Sequence, residues 1–440
     1  MHKKKRGKLK YIILLLVIAL GIFGYFNYDV IKEKIVKKKY FPIVEETTGS
    51  VDLFTRYGRY FNISGSLDGP FDELNNVKIV FNNEEGDTEY SINYEVNDNG
   101  LTFKTNEKIN EGINLDNVKI GNYYILLKVI NNDNSYKYYS LKNNSKYDNL
   151  DYYTMTKNSK NNYIKINFTK EDLVSVFKIN VEQKKLPNDV YDIVIDPGHG
   201  GADSGAVKDD IHESTLVLGI SLDLKKELEN LGYKVKLTRT GDYDPGEKKM
   251  DPYSKGGRAV VPNDVKAKYL FSIHLNSDRF TVKKGGVEVY MPSNADTSLA
   301  KSLADNIVKY AGTNYSPKES FRELDGVYMR PFLSAEINSM KEDANKDGYS
   351  MYTITDDTPY YYMLRETGGI ITGAYVDGRN KDYSKNKYYD ANYGVESYIL
   401  ELGYIINDTD LKNIQNNKDG YIKGIVETLK NLRLENEKEK

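Results

Sequence analysis

The chain has 440 residues, enough for two or three domains with a proper buried core, so it needs no covalent staple. It contains no cysteine, which excludes thiolate metal sites, cysteine nucleophiles and redox motifs and leaves histidine and carboxylates as the ligands for any transition metal. A formal net charge of −2 supplies no basic field for nucleic acid, and none is expected as a partner.

The first signal lies at the N-terminus. Six of residues 1–10 are Lys or Arg, and Tyr11 to Tyr28 then runs 18 residues without a charge. As a helix that run spans roughly 27 Å, close to the thickness of a bilayer core. Asn27-Tyr28-Asp29 is a poor signal-peptidase site, which favours a retained anchor over a cleaved leader. Residues 1–10 are therefore expected as a cytoplasmic tail and 11–28 as a transmembrane anchor. Residues 29–48 read as a lysine-rich stalk. The expectation is a single-pass protein of the cell membrane with its remaining domains extracytoplasmic.

Residues 49–183 change to short alternating runs such as Val77-Lys78-Ile79-Val80-Phe81 and Tyr123 to Val129, punctuated by Asn, Asp and Gly. Period-two runs at this spacing predict an all-β, sandwich-like accessory domain. It contains no histidine and reads as a spacer or an interaction domain, the place where a protein partner or activator would bind. Its tyrosines are read as strand and core residues rather than as a carbohydrate-binding face.

Residues 184–190 read as a linker. Over 191–434 the rhythm becomes strand–helix–strand, which predicts an α/β domain with a twisted, mainly parallel sheet flanked by helices. Strands are expected at Tyr191–Asp196, Tyr233–Thr238, Tyr269–Ile273, Gly286–Met291 and Glu396–Leu402. Helices are expected from Glu213 to Leu231, from Leu299 to Tyr310 and across Asp410–Leu432.

Only four histidines occur, and three fall in this α/β region. His199 follows the first strand and His274 ends the third, positions where open α/β sheets assemble their sites. Zinc without cysteine is commonly held by two histidines and one carboxylate, with a position left open for water. Glu213 begins the helix after the glycine-rich loop and is the candidate carboxylate. Residue chemistry alone leaves alternatives: strand-end histidines are often structural, Glu213 also reads as a plain first-turn residue, and His212 competes as a ligand.

The ordered set Asp196-Pro197-Gly198-His199-Gly200-Gly201, Glu213, Thr238-Arg239-Thr240, Arg258-Ala259 and Ser272-Ile273-His274-Leu275-Asn276-Ser277 resembles the Amidase_3 family of zinc-dependent N-acetylmuramoyl-L-alanine amidases. The likeness runs from about Asp189 to Leu432. It implies one zinc ion held by His199, Glu213 and His274, with peptidoglycan as substrate. The scissile bond would be the amide between N-acetylmuramic acid and L-alanine. The family's catalytic glutamate falls on Glu401, within Leu400-Glu401-Leu402-Gly403-Tyr404, as general base and acid. Glu396 is its nearest competitor, but five residues along a strand puts the two on opposite faces. Two other readings remain: a zinc-dependent hydrolase of another cell-wall amide, and a catalytically silent regulatory wall-binding protein.

Residues 314–391 exceed a compact member of such a family and read as an elaborated segment that either shapes the cleft or covers it as a lid. Within it Arg365 and Glu366 are candidate substrate-binding residues, together with Asn276; the alternative for the first two is a structural salt bridge under a glycine turn. Asp343-Ala344-Asn345-Lys346-Asp347-Gly348 begins like a calcium loop, lacks the closing glutamate and reads as an Asx-rich turn.

Overall fold

In a computed structural model of the chain, residues 45–438 are described except 46, 72, 156–159, 172–173, 349–353 and 374–385. The expected tail and anchor, and nearly all of the stalk, lie outside these residues. Among the described residues no helix is long and apolar enough to cross a membrane.

The alternating runs of the first half form two packed seven-stranded sheets, one of which takes Tyr393–Gly394 from the second half as a strand. In one, Gly49–Tyr57 and Tyr60–Asp68 form an antiparallel hairpin at its centre; in the other, Leu74–Asn83 pairs with Gly121–Asn131. Period two sends Val77, Ile79 and Phe81 to the interior with Ile125, Leu127 and Val129, while Lys78 and Lys128 face outward to Glu89. Phe54 and Phe61 from the first sheet meet Phe177 from the second, with Phe54 edge-on at 5.6 Å.

The second half is an α/β unit. Its sheet runs, edge to edge, Val235–Leu237, Ile193–Pro197, Tyr269–Asn276, Glu396–Tyr404, Glu288–Met291, Val327–Met329 and Arg322–Leu324. The first four are mutually parallel, and Glu288–Met291 joins Glu396–Tyr404 antiparallel. Both faces are covered, so the strands are apolar on both sides: Ile193 and Ile195 enter one core and Val194 the other. The helix Glu213–Asn230 buries Val217, Ile220, Leu224 and Leu228, one stripe at helical spacing. At about 1.5–3 kcal/mol for each fully buried aliphatic side chain, that stripe contributes on the order of 6–12 kcal/mol to its docking.

Two expectations for residues 314–391 change. Arg322–Leu324 and Val327–Met329 are not an insertion beside the sheet but its last two strands, turned at Asp325-Gly326. The Asx-rich turn at Asp343–Gly348 is instead the end of the helix Ser334–Asp347, closed by Gly348 in the left-handed conformation.

Candidate metal centre and cleft

Three parallel strands deliver their carboxyl ends to one place. The turn after Ile193–Pro197 carries His199, the strand Tyr269–Asn276 carries His274, and Glu396–Tyr404 carries Glu401 in register beside His274. Neighbouring strands lie about 4.8 Å apart, so this register puts Glu401 next to the histidine. Glu213 enters from the first turn of its helix.

Buried motif residues explain how the turn is held. Asp196 is fully buried and accepts hydrogen bonds from the Thr238 hydroxyl (2.6 Å), the Ser272 hydroxyl (2.7 Å) and Arg258 Nη1 (3.1 Å). Arg239, also fully buried, donates to the carbonyls of Pro197, Gly198 and Ser214 and so clamps the glycine turn to the helix start. A side chain at Gly198 would lie 2.3 Å from the His274 ring, so only glycine lets the imidazole seat there. His199 itself sits at φ 58°, a left-handed backbone costly for a residue with a side chain.

The three candidate ligands converge. His199 Nε2 and His274 Nδ1 each lie 3.1 Å from Glu213 Oε1 and 3.2 Å from one another. One donor atom from each of the three residues falls within 4.8 Å of the others. Glu213 is nearly fully buried and also accepts from the amides of Ala206 (2.8 Å) and Leu275 (2.9 Å), which fixes its carboxylate. Burial alone would push its carboxyl up; the hydrogen bonds and charges of His199 and His274 outweigh burial and hold it well below the usual carboxylate range. Two imidazoles and one carboxylate, open on the cleft side, are the donor set of a catalytic zinc site, so the residues present fit such an ion. His212 is excluded from the set: it is exposed and pairs with Val207 in a short ribbon.

A cleft of about 1280 Å³ opens over the triad, lined among others by Asp203, Asn276, Tyr361, Tyr362, Met363 and Glu401. Oε2 of Glu401 is closed off and accepts no hydrogen bond in the structure. Burial pushes this carboxyl well above its ordinary range, and the charges of Glu213 and Glu288 push it further, against Lys318. Glu396, the competitor, lies on the opposite face at the other end of the strand, buried beneath the β-rich unit.

Sequence reasoning missed two carboxylates. Asp203 Oδ2 bonds His199 Nδ1 at 2.8 Å and thereby turns Nε2 toward the triad. Glu288 pairs across the sheet with Glu401 and is fully buried, accepting from the hydroxyls of Tyr290, Ser316 and Tyr404. Asp203 sits four residues from His199 in the glycine-rich loop, a usable signal; for Glu288 only its alternation with buried strand residues pointed inward.

Asn276 lines the cleft, but Arg365 and Glu366 do not. Arg365 Nε meets Glu366 Oε1 at 3.1 Å, Arg365 also donates to the carbonyl of Tyr360, and Asn386 donates to Glu366. Both side chains are buried, Glu366 completely, and they form the structural ion pair of the two alternatives. The elaborated segment reaches the cleft instead through Tyr361, Tyr362 and Met363 at the start of the helix Tyr362–Thr367. Among the described residues it forms a wall, and His199 and His274 stay accessible at 24% and 21% exposure.

With this geometry in place, comparison with known proteins is informative. Residues 193–334 match the family profile described as N-acetylmuramoyl-L-alanine amidase, Amidase_3. The matched segment is about a third of the chain. The chain is similar to the N-acetylmuramoyl-L-alanine amidase AmiA of Salmonella typhimurium, 35% identical over 118 residues that cover 26% of this chain and 37% of that protein. A putative N-acetylmuramoyl-L-alanine amidase of Buchnera aphidicola is 27% identical over 202 residues, 44% of this chain and 89% of the relative. The match thus spans about a third of the Salmonella protein's length and most of the Buchnera one's. Among solved structures, an N-acetylmuramoyl-L-alanine amidase from Clostridium difficile 630 aligns at 20% identity with a TM-score of 0.36, covering 55% of this chain and 96% of that one.

Proposed function

We propose that the protein is a zinc-dependent peptidoglycan hydrolase that cleaves the amide between N-acetylmuramic acid and the L-alanine of the stem peptide. The observation that carries this reading is the convergence of His199, Glu213 and His274 in the same cleft as Glu401. His199, Glu213 and His274 would hold one zinc ion. Bound there, zinc would supply Lewis acidity that lowers the pKa of a bound water and polarises an amide carbonyl.

The chain's own residues do the rest. Asp203 fixes the His199 ring through Nδ1. Glu401 takes the proton of the attacking water as its oxygen bonds to the carbonyl carbon, and delivers that proton to the amine as the C–N bond breaks. Its desolvated carboxyl, raised by burial, suits a group that must hold a proton between those two steps. Asn276, half-buried in the cleft lining, would bind the substrate.

The apolar run 11–28 would tether this unit on the outer face of the membrane, within reach of the wall. Extraction of the full chain by carbonate without detergent would count against the anchor. The activity is tested on purified peptidoglycan by mass spectrometry of the products. Intact stem peptides freed from glycan are expected, and chelation should abolish their release. Activity surviving thorough metal removal would refute the zinc reading, and cleavage inside the stem peptide would refute the bond assignment.

A further inference from the structure

The two halves of the chain meet along a buried polar seam at the end of the α/β sheet opposite the metal centre. Tyr393-Gly394 is a two-residue strand that pairs, in parallel, with Arg56-Tyr57 of the β-rich unit. Arg56 N donates to Asn392 O (2.8 Å) and Gly58 N to Gly394 O (3.0 Å). The Arg56 guanidinium lies 5.6 Å from the Tyr393 ring and 5.3 Å from that of Tyr152. Ser397 N donates to the buried hydroxyl of Tyr57 at 3.2 Å. Asn110 donates to Glu396 Oε1 (3.3 Å) and to Asp296 O (3.1 Å), and its own Oδ1 accepts from Asp296 N. At Gly58, φ is +57° and an added Cβ would stand 2.7 Å from Glu396 Oε2, so the backbone of one unit rests directly on the carboxylate of the other.

The other side of the same two-residue strand holds the cleft wall. Val395 N donates to Thr367 O (3.0 Å), and the hydroxyls of Thr367 and Ser397 are 2.7 Å apart. Gly394 packs so closely on Gly368 that a side chain would fall 2.4 Å from its carbonyl oxygen. Asn294 donates to Ile371 O (2.8 Å), and Ile109 of the β-rich unit donates to Asn294 O (3.0 Å). Thr367 and Gly368 close the helix that begins at Tyr362, and Tyr361, Tyr362 and Met363 at its start line the cleft. An uninterrupted set of hydrogen bonds therefore runs from Arg56–Gly58 through Asn392–Ser397 to the wall of the metal cleft.

We propose that the β-rich unit is a positioning domain for the amidase cleft: its docking through Arg56–Gly58 and Asn110 holds the helix Tyr362–Thr367 in place and so sets the cleft wall. The seam is too buried and too polar to open freely. Undocking would break the backbone bonds of Arg56 and Gly58 and the side-chain bonds of Tyr57 and Asn110 together. A short helix of six residues has no stability of its own, so its position depends on what its ends are tied to. The β-rich unit is then not a freely swinging spacer.

The test uses the full chain with Gly58→Ala, which drives a methyl group into Glu396, and Asn110→Ala, which removes one bridge without touching the backbone. Amide hydrogen exchange is followed in three regions: the seam at 392–397, the wall at 361–371, and the helix 213–230 on the far face of the sheet. The expected result is that exchange at seam and wall quickens together by about ten-fold or more, the effect of roughly one lost hydrogen bond of local stability, while 213–230 is unchanged. With it, KM for muropeptide substrate rises more than kcat falls. Faster exchange at the seam with an unmoved wall and unmoved KM overturns the proposal. Loss of protection across 213–230 in both variants also overturns it, because the β-rich unit would then serve global folding and not the wall. The kinetic arm rests on the amidase reading; the exchange arm does not, so a chain without amidase activity still tests the coupling.

Discussion

Replacing Glu401 with glutamine separates the proposed proton-transfer residue from the metal ligands. The structure makes this substitution unusually clean. Oε2 of Glu401 accepts no hydrogen bond, so an isosteric amide breaks none there. The charge removed is one that Glu213 and Glu288 already oppose, so folding stability should hold or rise. Glu401 is not among the three converging ligands, so zinc content should stay near one ion per chain by atomic emission. Loss of a general base and acid costs about 10²–10⁴-fold in rate, equivalent to about 3–5 kcal/mol of transition-state stabilisation. The assay is release of stem peptides from purified peptidoglycan, quantified by mass spectrometry, beside metal analysis and thermal melting. Wild-type turnover with full metal content would refute the role given to Glu401. Loss of the metal with the activity would make Glu401 a ligand, and the mechanism would have to be rebuilt.

Asp203→Asn keeps an acceptor for the Gly205 amide but weakens the orientation of His199, and zinc affinity should fall about 10–100-fold in competition with a chromophoric chelator; unchanged affinity would contradict the role assigned to Asp203. Arg365→Ala takes one partner from the fully buried Glu366, which keeps its hydrogen bond from Asn386, and should cost about 1–3 kcal/mol of stability in denaturant melts, with KM for muropeptides unmoved; a rise in KM without destabilisation would make Arg365 a substrate residue. Glu396 gives a pH signature. Burial pushes its carboxyl up, against Tyr398, Arg59 and Asn110, so the folded chain holds this proton to higher pH than the unfolded chain does. Stability from this group is therefore full at low pH and declines as pH rises from the ordinary carboxylate value through the folded one. Glu396→Gln removes that decline, and its melting temperature should pull ahead of the parent's as pH rises from about 4, the ordinary carboxylate range; a gap that is the same at pH 4 and pH 8 would rule the shift out.

What could be read from the sequence were features that local chemistry forces. Strand ends with histidine, a glycine turn and a helix-start glutamate admit few arrangements, and His199, Glu213 and His274 meet as expected. Period two and period 3.6 separated the β-rich half from the α/β half because one-sided and two-sided burial write different patterns. The failures are places where identical local sequence serves two tertiary ends. Arg365-Glu366 beside glycines suits a cleft or a buried pair, and only the position of the Tyr362–Thr367 helix decides for the pair. Asp343–Gly348 has turn residues, yet it closes a helix whose earlier residues carry the helical preference. Asp325-Gly326 was a legible hairpin signal, overlooked because the flanking strands are only three residues each. Tyr393-Gly394 could not have been read at all, since a two-residue strand has no period.

The central strands carry polar groups at both ends, and the two ends obey different rules. At the carboxyl ends His199, His274 and Glu401 face an open cleft. At the amino ends of the same strands stand Asp192, Lys268 and Glu396, all essentially without exposure. Lys268 and Asp192 pair at 3.3 Å, an arrangement that rarely pays for its own desolvation. Here residues of the β-rich unit reach Glu396 and Lys268: Asn110 donates to Glu396, Gly58 rests on its carboxylate, the charge of Arg59 acts on it, and the Tyr152 ring lies 5.8 Å from Lys268. On an isolated α/β unit Glu396 and Lys268 would lose this cover at the amino ends of central strands, and water there would solvate their charge. The burial of Glu396 and Lys268 therefore depends on the β-rich unit staying docked. From Glu396 to Glu401 is five residues of strand, about 17 Å at 3.3–3.4 Å each. The β-rich unit is therefore one strand length from the candidate metal centre, and the strand it rests on is the one that carries Glu401.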